Sequence, residues 1–440
     1  MTYLSYRLYR FLSLSQYWIE RRFTKAGLLV FCGIFLMMGL AVDTEQSAAY
    51  QLLGIVLALL LSAMAWAPFF RGRFSIERHL PRFGTVNQPL AYAVTVTNLA
   101  SRAERELTLL EDLQDTRPSA SEFALETKLD GRSFRLARSR QWRRATRVAE
   151  RALTSIRAKG SADVSLELTP LRRGPLRWKG ATMARPDPLG LFRGFVHVSA
   201  PQSILILPKR YLLRPIALPG ASKYQQGGVA LAGSVGESEE FVSLREYRRG
   251  DPLRHIHWKS SAKAGEPVVK EFQDEFFVRH ALILDTFAGS EKGEAFEEAV
   301  AVAASFAATI DTQDSLLDLM FVGPQAFRFT AGRGVAHSEQ MLEILASVSL
   351  CPSKEFRSLQ ELVLEHTTAL SGCICIFLAW DAPRRDLVRR LRQLDLPLLV
   401  LVVQDVNEGA PLDLGPLQNQ PEYLHSLHVG HVAEGLQRIT

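Results

Sequence analysis

The sequence has few cysteines, and it lacks the short motifs that mark common hydrolases and nucleotide-binding enzymes. Four cysteines occur among 440 residues, and their spacing forms neither a disulfide framework nor a zinc knuckle. A reduced, cytoplasmic setting is therefore the simpler interpretation. The sequence also contains no G-x-S-x-G nucleophile elbow and no Walker phosphate loop. These absences favour a non-enzymatic role over those enzyme classes.

Charged residues are missing from two long apolar segments near the N-terminus, residues 26–42 and 48–70. At about 1.5 Å per residue, both segments can cross a hydrocarbon core of roughly 30 Å. Arginine and lysine lie outside the pair on both sides, whereas the connecting residues 43–47 are acidic. The positive-inside rule therefore predicts a two-helix transmembrane hairpin within residues 1–73, with both termini and the soluble domains in the cytoplasm.

Residues 74–212 have the pattern of an antiparallel β-structure. Residues 90–98, LAYAVTVTN, alternate apolar and polar side chains, and glycine and proline supply turns between such runs. We expect a β-sandwich of immunoglobulin-like type here.

A strongly basic region, residues 132–159, lies inside the predicted sandwich and carries ten basic side chains against one acidic side chain. On a domain tethered below a membrane, such a region could contact anionic lipid head groups or an acidic partner. Nucleic acid is disfavoured, because no RNA-binding motif or aromatic platform accompanies the region. The alternative is a solvated insertion without a binding role.

The C-terminal half divides into a linker and an α/β domain. Residues 213–240 are rich in glycine and small side chains and predict a flexible linker. In residues 241–440 apolar strands alternate with helices, which predicts a mostly parallel sheet covered on both faces. Asp285 and Asp381 follow two of these strands, at the edge where ligands gather. The two carboxylates could hold Mg²⁺, or each could cap the helix that follows it.

Residues 241–285, here called the signature segment, concentrate cations, imidazoles and an indole. Guanidinium groups suit phosphate and carboxylate ligands, so the segment predicts a binding or docking surface, with ion pairing inside the segment as the alternative. His255 and His257 would project to one side of an extended chain, a spacing that can bind zinc but lacks a third ligand here. The candidate binding residues are Arg245, Tyr247, Arg249, Asp251, Arg254, His257, Trp258 and Lys259.

These residues also carry a family resemblance. The run REYRRGDPLRHIHWKSSAK, followed by EPVVKEF and a strand ending at Asp285, resembles the signature of the bacterial domain of unknown function 58 family. The motifs RRGPL and DPLGLF match the layout of that family. The resemblance implies a bacterial inner-membrane protein whose C-terminal part is a von Willebrand factor A-like α/β domain. It further implies work beside a MoxR-type AAA+ ATPase, with a transglutaminase-like membrane protein as a second partner.

The resemblance to a von Willebrand factor A domain does not extend to its metal motif. Domains of that type that bind Mg²⁺ carry Asp-x-Ser-x-Ser after the first strand. Here Asp285 is kept, but Phe287 and Gly289 stand where the serines would be. The resemblance therefore implies a degenerate metal site and no obligatory cofactor.

The sequence thus predicts a membrane-anchored cytoplasmic adaptor that works with such an ATPase in protein maturation or complex assembly. One alternative is a metal-dependent hydrolase that uses Asp285 and Asp381. The other is a protein that binds anionic lipid or nucleic acid through residues 132–159.

Overall fold

The chain is a multidomain, mixed α/β protein with two compact units, Met1–Leu207 and Pro208–Thr440. Each unit has hydrophobic clusters of its own. The computed structural model describes residues 2–40, 47–114, 146–148, 150–153, 155–213, 223–224, 241–251, 253–272, 276–288, 293–309, 315–332, 335–405 and 413–439.

The first unit begins with three helices, α1 (Thr2–Arg22), α2 (Lys25–Leu40) and α3 (Ser47–Trp66). Among the described residues, one helical stretch, Tyr50–Phe69, is long and apolar enough to cross a membrane, with a mean hydropathy of 2.2. This result rests on length and composition alone, and it weakly suggests a membrane association. The other predicted span falls on α2, a shorter apolar helix whose 16 described residues reach about 24 Å.

Nine strands of the described chain complete the first unit. They are β1 (Phe74–His79), β2 (Phe83–Thr85), β3 (Leu90–Asn98), β4 (Leu107–Leu113), β5 (Thr146–Val148), β6 (Arg151–Leu153), β7 (Ser161–Pro170), β8 (Gly174–Pro186) and β9 (Arg193–Leu207). They form two sheets, with strand orders β1-β3-β7-β5 and β2-β9-β8-β4-β6.

Buried and exposed side chains alternate along the strands, so each sheet has one buried face. The two buried faces form one hydrophobic core. Val94 and Leu168 from one sheet belong to the same buried cluster as Leu109, Trp178 and Met183 from the other. Burying each large apolar side chain contributes roughly 1.5–3 kcal/mol. The predicted β-structure is therefore present as a two-sheet sandwich. Of the predicted basic region, residues 132–145, 149 and 154 lie outside the described residues.

The turn between β8 and β9 joins the sandwich to the helices. It consists of residues 187–192, DPLGLF, and is here called the clasp loop. The Asp187 carboxylate accepts hydrogen bonds from the backbone N–H groups of Leu189, Leu191 and Phe192, at 2.8, 2.7 and 2.6 Å. This carboxylate therefore fixes the loop so that Leu191 and Phe192 point into one cluster with side chains of all three helices and the residues joining them.

The clasp loop contacts the junction between α1 and α2. The Thr24 N–H donates to the Leu191 carbonyl at 3.1 Å, and the Thr24 hydroxyl donates to the Gly190 carbonyl at 2.5 Å. A Cβ at Gly27 would overlap the Leu191 carbonyl oxygen. Glycine is therefore required at position 27 for the helix to approach the loop this closely.

The second unit contains the elements predicted for the α/β domain and several more. They are β10 (Lys223–Tyr224), β11 (Phe241–Glu246), α4 (Trp258–Ala264), β12 (Val268–Phe272), β13 (Phe276–Leu284), α5 (Gly293–Thr309), β14 (Ser315–Val322), β15 (Ala326–Ala331), α6 (Val335–Ser347), α7 (Arg357–Glu365), β16 (Gly372–Phe377), α8 (Ala382–Gln393), β17 (Leu398–Gln404), β18 (Leu424–His428) and α9 (Val432–Gln437). Most of the predicted linker, residues 214–222 and 225–240, lies outside the described residues.

The main sheet of the second unit is mostly parallel. Its strand order is β15-β14-β13-β16-β17-β18, and all these pairs are parallel except β14 with the edge strand β15. Side chains of α7 and α8 pack on one face of the sheet, while α5 contacts β13, β16 and β17. If these six strands are numbered 1 to 6 along the chain, starting with β13, their spatial order across the sheet is 3-2-1-4-5-6. This is a doubly wound arrangement, and its switch point lies between β13 and β16.

Candidate docking site in the signature segment

Most of the signature segment folds into a small separate layer, here called the docking hairpin (residues 241–272). Its strands β11 and β12 pair antiparallel and form a two-stranded sheet of their own. The chain between them forms a 3₁₀ turn, Leu253–His255, and then α4. The buried side chains of Ile256, Val268 and Val269 anchor this layer.

Backbone hydrogen bonds hold the helical part of the docking hairpin against β12. The His257 N–H donates to the Val268 carbonyl at 2.8 Å, and the Tyr247 N–H donates to the Pro267 carbonyl at 2.9 Å. Helix α4 ends at Gly265, which has a φ of 77° in the left-handed region that glycine adopts readily. These bonds fix the path of a chain that has few apolar side chains to bury.

Arg245 and Asp251 form an ion pair inside the docking hairpin. Both terminal nitrogens of Arg245 donate to the Asp251 carboxylate, at 2.7 and 2.8 Å, and the Arg248 N–H donates to the same carboxylate at 2.8 Å. The Arg245 hydrogen bonds, with the Arg248 N–H second, lower the pKa of Asp251 to about 2. For this pair, the structural alternative of ion pairing within the segment is the one observed.

The two histidines do not lie on an extended chain, so that part of the prediction is wrong. His255 belongs to the 3₁₀ turn, while His257 precedes the first residue of α4. The Nδ1 atom of His257 lies 2.7 Å from the Ser260 hydroxyl. Among the described residues there is no group of three or more His, Cys, Asp or Glu side chains that could hold a metal ion. The prediction assumed an extended chain at residues 255–257. Residues 253–264 instead form the local hydrogen bonds of a 3₁₀ turn and a helix.

The solvent-facing side of the docking hairpin combines apolar and cationic side chains. Trp258 is 72% exposed and Leu253 is 68% exposed. Arg249, Arg254 and Lys259 are exposed as well, whereas Tyr247 and His257 are half-buried. The hairpin therefore presents an indole together with cations on a backbone fixed by hydrogen bonds.

The carboxyl edge of the main sheet holds the two aspartates that were expected to bind a metal. Asp285 is fully buried, and its carboxylate accepts from the Phe287 N–H at 2.9 Å and the Leu378 N–H at 3.0 Å. The Arg384 guanidinium donates two further hydrogen bonds to Asp285, at 2.9 and 3.2 Å. Burial raises the pKa of Asp285, and the Arg384 charge and the donated hydrogen bonds oppose that shift.

Arg384 also contacts the second aspartate, so one guanidinium lies between the two carboxylates. Its Nη1 atom is 2.6 Å from the Asp381 carboxylate, and its Cζ atom is 4.5 Å from the centre of the Phe356 ring. Asp381 in addition caps α8 by accepting from the Arg384 N–H at 3.3 Å. Asp285 and Asp381 therefore do not fit a magnesium site, because a fixed cation already lies between them. The capping alternative is the one observed for Asp381.

Sequence reasoning missed Arg384 as the partner of both aspartates. The sequence does carry a local signal for the cap, because an aspartate followed two residues later by a proline is typical of a helix start. The contact between Arg384 and Asp285 spans 99 residues, and no local pattern predicts it.

The fold and the site define a class: a two-unit protein with apolar N-terminal helices and a doubly wound α/β unit that carries a cationic, tryptophan-bearing hairpin. Residues 243–381 match the family model described as "Protein of unknown function DUF58". That match includes most of the docking hairpin and extends to Asp381. The chain therefore carries the DUF58 family region, and the resemblance deduced from the signature segment is confirmed.

One curated relative is the "Uncharacterized protein YeaD" of Bacillus subtilis (strain 168). It is 25% identical over 190 residues, which are 43% of this chain and 46% of the relative. The match thus spans less than half of the relative's length.

Two solved structures illustrate matches to parts of the chain. The CARDB domain of the PF1109 protein from Pyrococcus furiosus, in complex with di-metal ions, covers 32% of this chain and 91% of its own, at 15% identity and a TM-score of 0.18. Manganese-loaded Plasmodium vivax TRAP protein covers 37% of this chain and 74% of its own, at 9% identity and a TM-score of 0.28. Similarities at these TM-scores support no conclusion about this chain.

Proposed function

We propose that this protein is a membrane-anchored adaptor whose docking hairpin binds a partner protein. The apolar helices α2 and α3 hold the chain in a bacterial inner membrane as two spans, with both termini and the soluble units in the cytoplasm. The family resemblance supplies the expected partner, a MoxR-type AAA+ ATPase, with a transglutaminase-like membrane protein as a second component. The work of such an assembly is the maturation or assembly of other proteins.

The exposure of Trp258 carries this proposal. An indole that is 72% exposed leaves a large apolar surface in water, and covering it with a partner is favourable. Tryptophan and arginine are also the residue types that dominate binding energy at protein interfaces. The backbone around Trp258 is held by hydrogen bonds to β12, so little ordering remains to be done on binding.

The charge of the docking hairpin indicates the character of the partner surface. Arg248, Arg249, Arg254, Lys259 and Lys263 are all exposed. Their combined field favours an acidic surface and speeds encounter with it. We therefore expect a partner that presents carboxylates around an apolar pocket for Trp258.

We also propose the finer fold assignments made from the sequence. The two-sheet sandwich of the first unit suits an immunoglobulin-like domain. The strand order 3-2-1-4-5-6 with an antiparallel edge strand suits a von Willebrand factor A-like domain. Neither assignment requires a metal at the sheet edge.

The hydrolase alternative loses its support, because Asp285 and Asp381 are both bound to Arg384. Binding of anionic lipid or nucleic acid through residues 132–159 stays a prediction, since residues 132–145 lie outside those the structure describes.

Affinity capture from detergent-solubilised membranes tests the adaptor role. The tagged full-length chain is compared with Trp258→Ala and Arg254→Ala, and Leu394→Ala is the control because Leu394 is a 51% exposed apolar residue of the same unit. Loss of a hot-spot side chain costs about 2 kcal/mol, so we expect roughly 30-fold weaker binding of the ATPase. Quantitative mass spectrometry and titration with the purified ATPase measure this. Equal recovery of the same partners by wild type and Trp258→Ala would show that the hairpin is not the docking surface.

A further inference from the structure

Helix α1 exposes a long apolar stripe. At 100° per residue, Leu8, Phe11, Leu12 and Trp18 fall within an arc of about 120° on one side of the helix. Their exposed fractions are 59, 67, 57 and 46%. Contiguous apolar surface of this kind is uncommon on a soluble protein and indicates a partner or a membrane.

The charges on α1 favour an anionic surface. Within residues 2–22 there are four arginines and one acidic residue, Glu20. Arg7 and Arg10 are exposed, and on the helical wheel Arg7 lies beside Trp18. Arg21 is paired with Asp112 at 2.6 Å, and Arg22 donates to the Arg193 carbonyl at 3.2 Å. Arg7 is therefore the exposed cation at the edge of the stripe, and Arg10 lies about 80° from that edge round the helix, where it donates to the Tyr6 hydroxyl.

The position of α1 in the first unit links this stripe to the apolar helices. Helix α1 ends at Arg22 and α2 begins at Lys25, so the C-terminal end of α1 lies at the start of the first proposed span. The Trp18 ring is 6.0 Å from Phe192 of the clasp loop and 6.2 Å from Phe23. The end of α1 is therefore fixed at the level where α2 would enter a bilayer.

We infer that α1 lies in the plane of the membrane interface and binds anionic lipid head groups. Its apolar stripe faces the acyl chains, while Arg7 at the edge of the stripe and Arg10 on the adjoining polar side reach the phosphates. Aromatic and basic residues on such a helix are typical of interfacial binding. The inference rests on the proposed membrane placement of α2 and α3, and it adds a lipid-binding surface separate from residues 132–159.

Depth-dependent quenching of Trp18 tests the position of α1. Full-length protein is placed in nanodiscs of phosphatidylcholine and phosphatidylglycerol in a 7:3 ratio, with nitroxide at acyl carbon 5 or 14. The difference in fluorescence between wild type and Trp18→Phe gives the Trp18 signal, and Trp66→Phe gives the signal of a residue on α3. We expect the shallow label to quench Trp18 at least two-fold more strongly than the deep label.

Two outcomes separate this inference from the anchor itself. If Trp66 is quenched and Trp18 is not, the chain is inserted but α1 does not lie in the interface, and the inference is wrong. If neither tryptophan is quenched, the membrane placement fails and the inference fails with it.

The head-group preference is tested by comparing nitroxide-labelled phosphatidylglycerol with labelled phosphatidylcholine at equal mole fraction. We expect the glycerol lipid to quench Trp18 about two-fold more strongly in wild type. The preference should disappear in Arg7→Gln/Arg10→Gln and persist in Arg102→Gln/Arg105→Gln, which removes the same charge from an exposed turn of the sandwich. Equal quenching by both lipids in wild type would overturn the anionic-lipid part.

Discussion

Two buried guanidinium groups illustrate what single residues do in this chain. In the second unit, Arg384 lies between Asp285 and Asp381. In the first unit, Arg78 bonds to Glu111 at 2.7 Å, and both side chains are fully buried. Removing one partner of such a pair leaves the other charge uncompensated in a low dielectric. These arginines are therefore structural, although their residue type is that of a surface cation.

The substitution Arg384→Met tests this role. It leaves the Asp285 carboxylate buried without its cation, so we expect a loss of about 3–5 kcal/mol in the free energy of unfolding. Thermal unfolding of the detergent-solubilised protein measures the loss, at ~2–4 °C per kcal/mol for a unit of this size.

The matched control for that experiment is Arg385→Met. Arg385 pairs with Asp413 at 2.8 Å on the surface, so its loss should cost under about 1 kcal/mol. Equal destabilisation by both variants would contradict the structural role of Arg384. If Mg²⁺ raised the Tm of the wild type, the hypothesis of a magnesium site at Asp285 and Asp381 would have to be taken up again.

At the scale of elements, the clasp loop has two structural roles. Six residues, 187–192, connect two long strands and also close the junction of α1 and α2. The loop owes its shape to one carboxylate with three backbone donors. The Leu191 and Phe192 N–H groups are buried, so they depend on that carboxylate for a partner.

The substitution Asp187→Ala should therefore destabilise the first unit. It leaves at least two buried N–H groups without an acceptor, and each unsatisfied N–H group costs roughly 1–3 kcal/mol of folding free energy. Asp187→Asn keeps an acceptor oxygen and should cost less. Thermal unfolding compares both variants with Asp163→Ala. Asp163 is an exposed aspartate that accepts from the Thr95 hydroxyl at 2.7 Å, so its loss should cost about 1 kcal/mol or less. If Asp187→Ala is no worse than Asp163→Ala, the loop does not depend on this carboxylate.

The predictability of the elements follows from their burial. Strands β16 and β17 are buried along their whole length, and such apolar runs between helices are the pattern from which the parallel sheet was predicted. Strand β9 is a weaker case, because residues 193–202 are mostly half-buried or exposed and only its last residues carry a buried apolar run. Helix α1 was not predicted, since its arginines and serines interrupt the apolar pattern. Strand β18 was missed for the same reason, as histidine and serine occupy three of its five positions.

The candidate site was predictable in composition but not in geometry. The signature segment was identified from its density of cations, and the structure exposes Trp258 and Arg249 there. The pairing of Arg245 with Asp251 was one of two open alternatives. Arg384 could not be selected from the sequence, because α8 contains five arginines and only tertiary packing determines which of them is buried.

At the scale of the whole molecule, the proposed membrane topology would determine which partners the docking hairpin can contact. The apolar surfaces of α2 and α3 are largely exposed, as expected for lipid-facing helices. The exposed apolar residues of these helices and the turn that follows are Leu28, Leu29, Phe35, Leu36, Met38, Tyr50, Leu52, Ile55, Leu57, Leu59, Leu61, Met64, Trp66 and Phe69. Two spans would place both soluble units on the side where a cytoplasmic ATPase acts.

Cysteine labelling in spheroplasts tests this topology. With two spans, a membrane-impermeant maleimide should label Glu45→Cys, which lies in the acidic connection. The same reagent should leave Ser5→Cys and Lys179→Cys unlabelled until the cells are lysed; both positions are exposed in the structure. A single span through α3 would instead expose Ser5→Cys from outside, and this result would overturn the two-span topology.

The contact between Thr24 and the clasp loop also has a consequence for biosynthesis. The two residues Thr24 and Leu191 are 167 positions apart, so the ribosome must add that length after the helix junction is made. At about 5–20 residues per second this takes roughly 8–33 s. During that interval Gly27 has no Leu191 backbone to approach. The helix junction therefore lacks its contact with the clasp loop until the ribosome has made most of the sandwich.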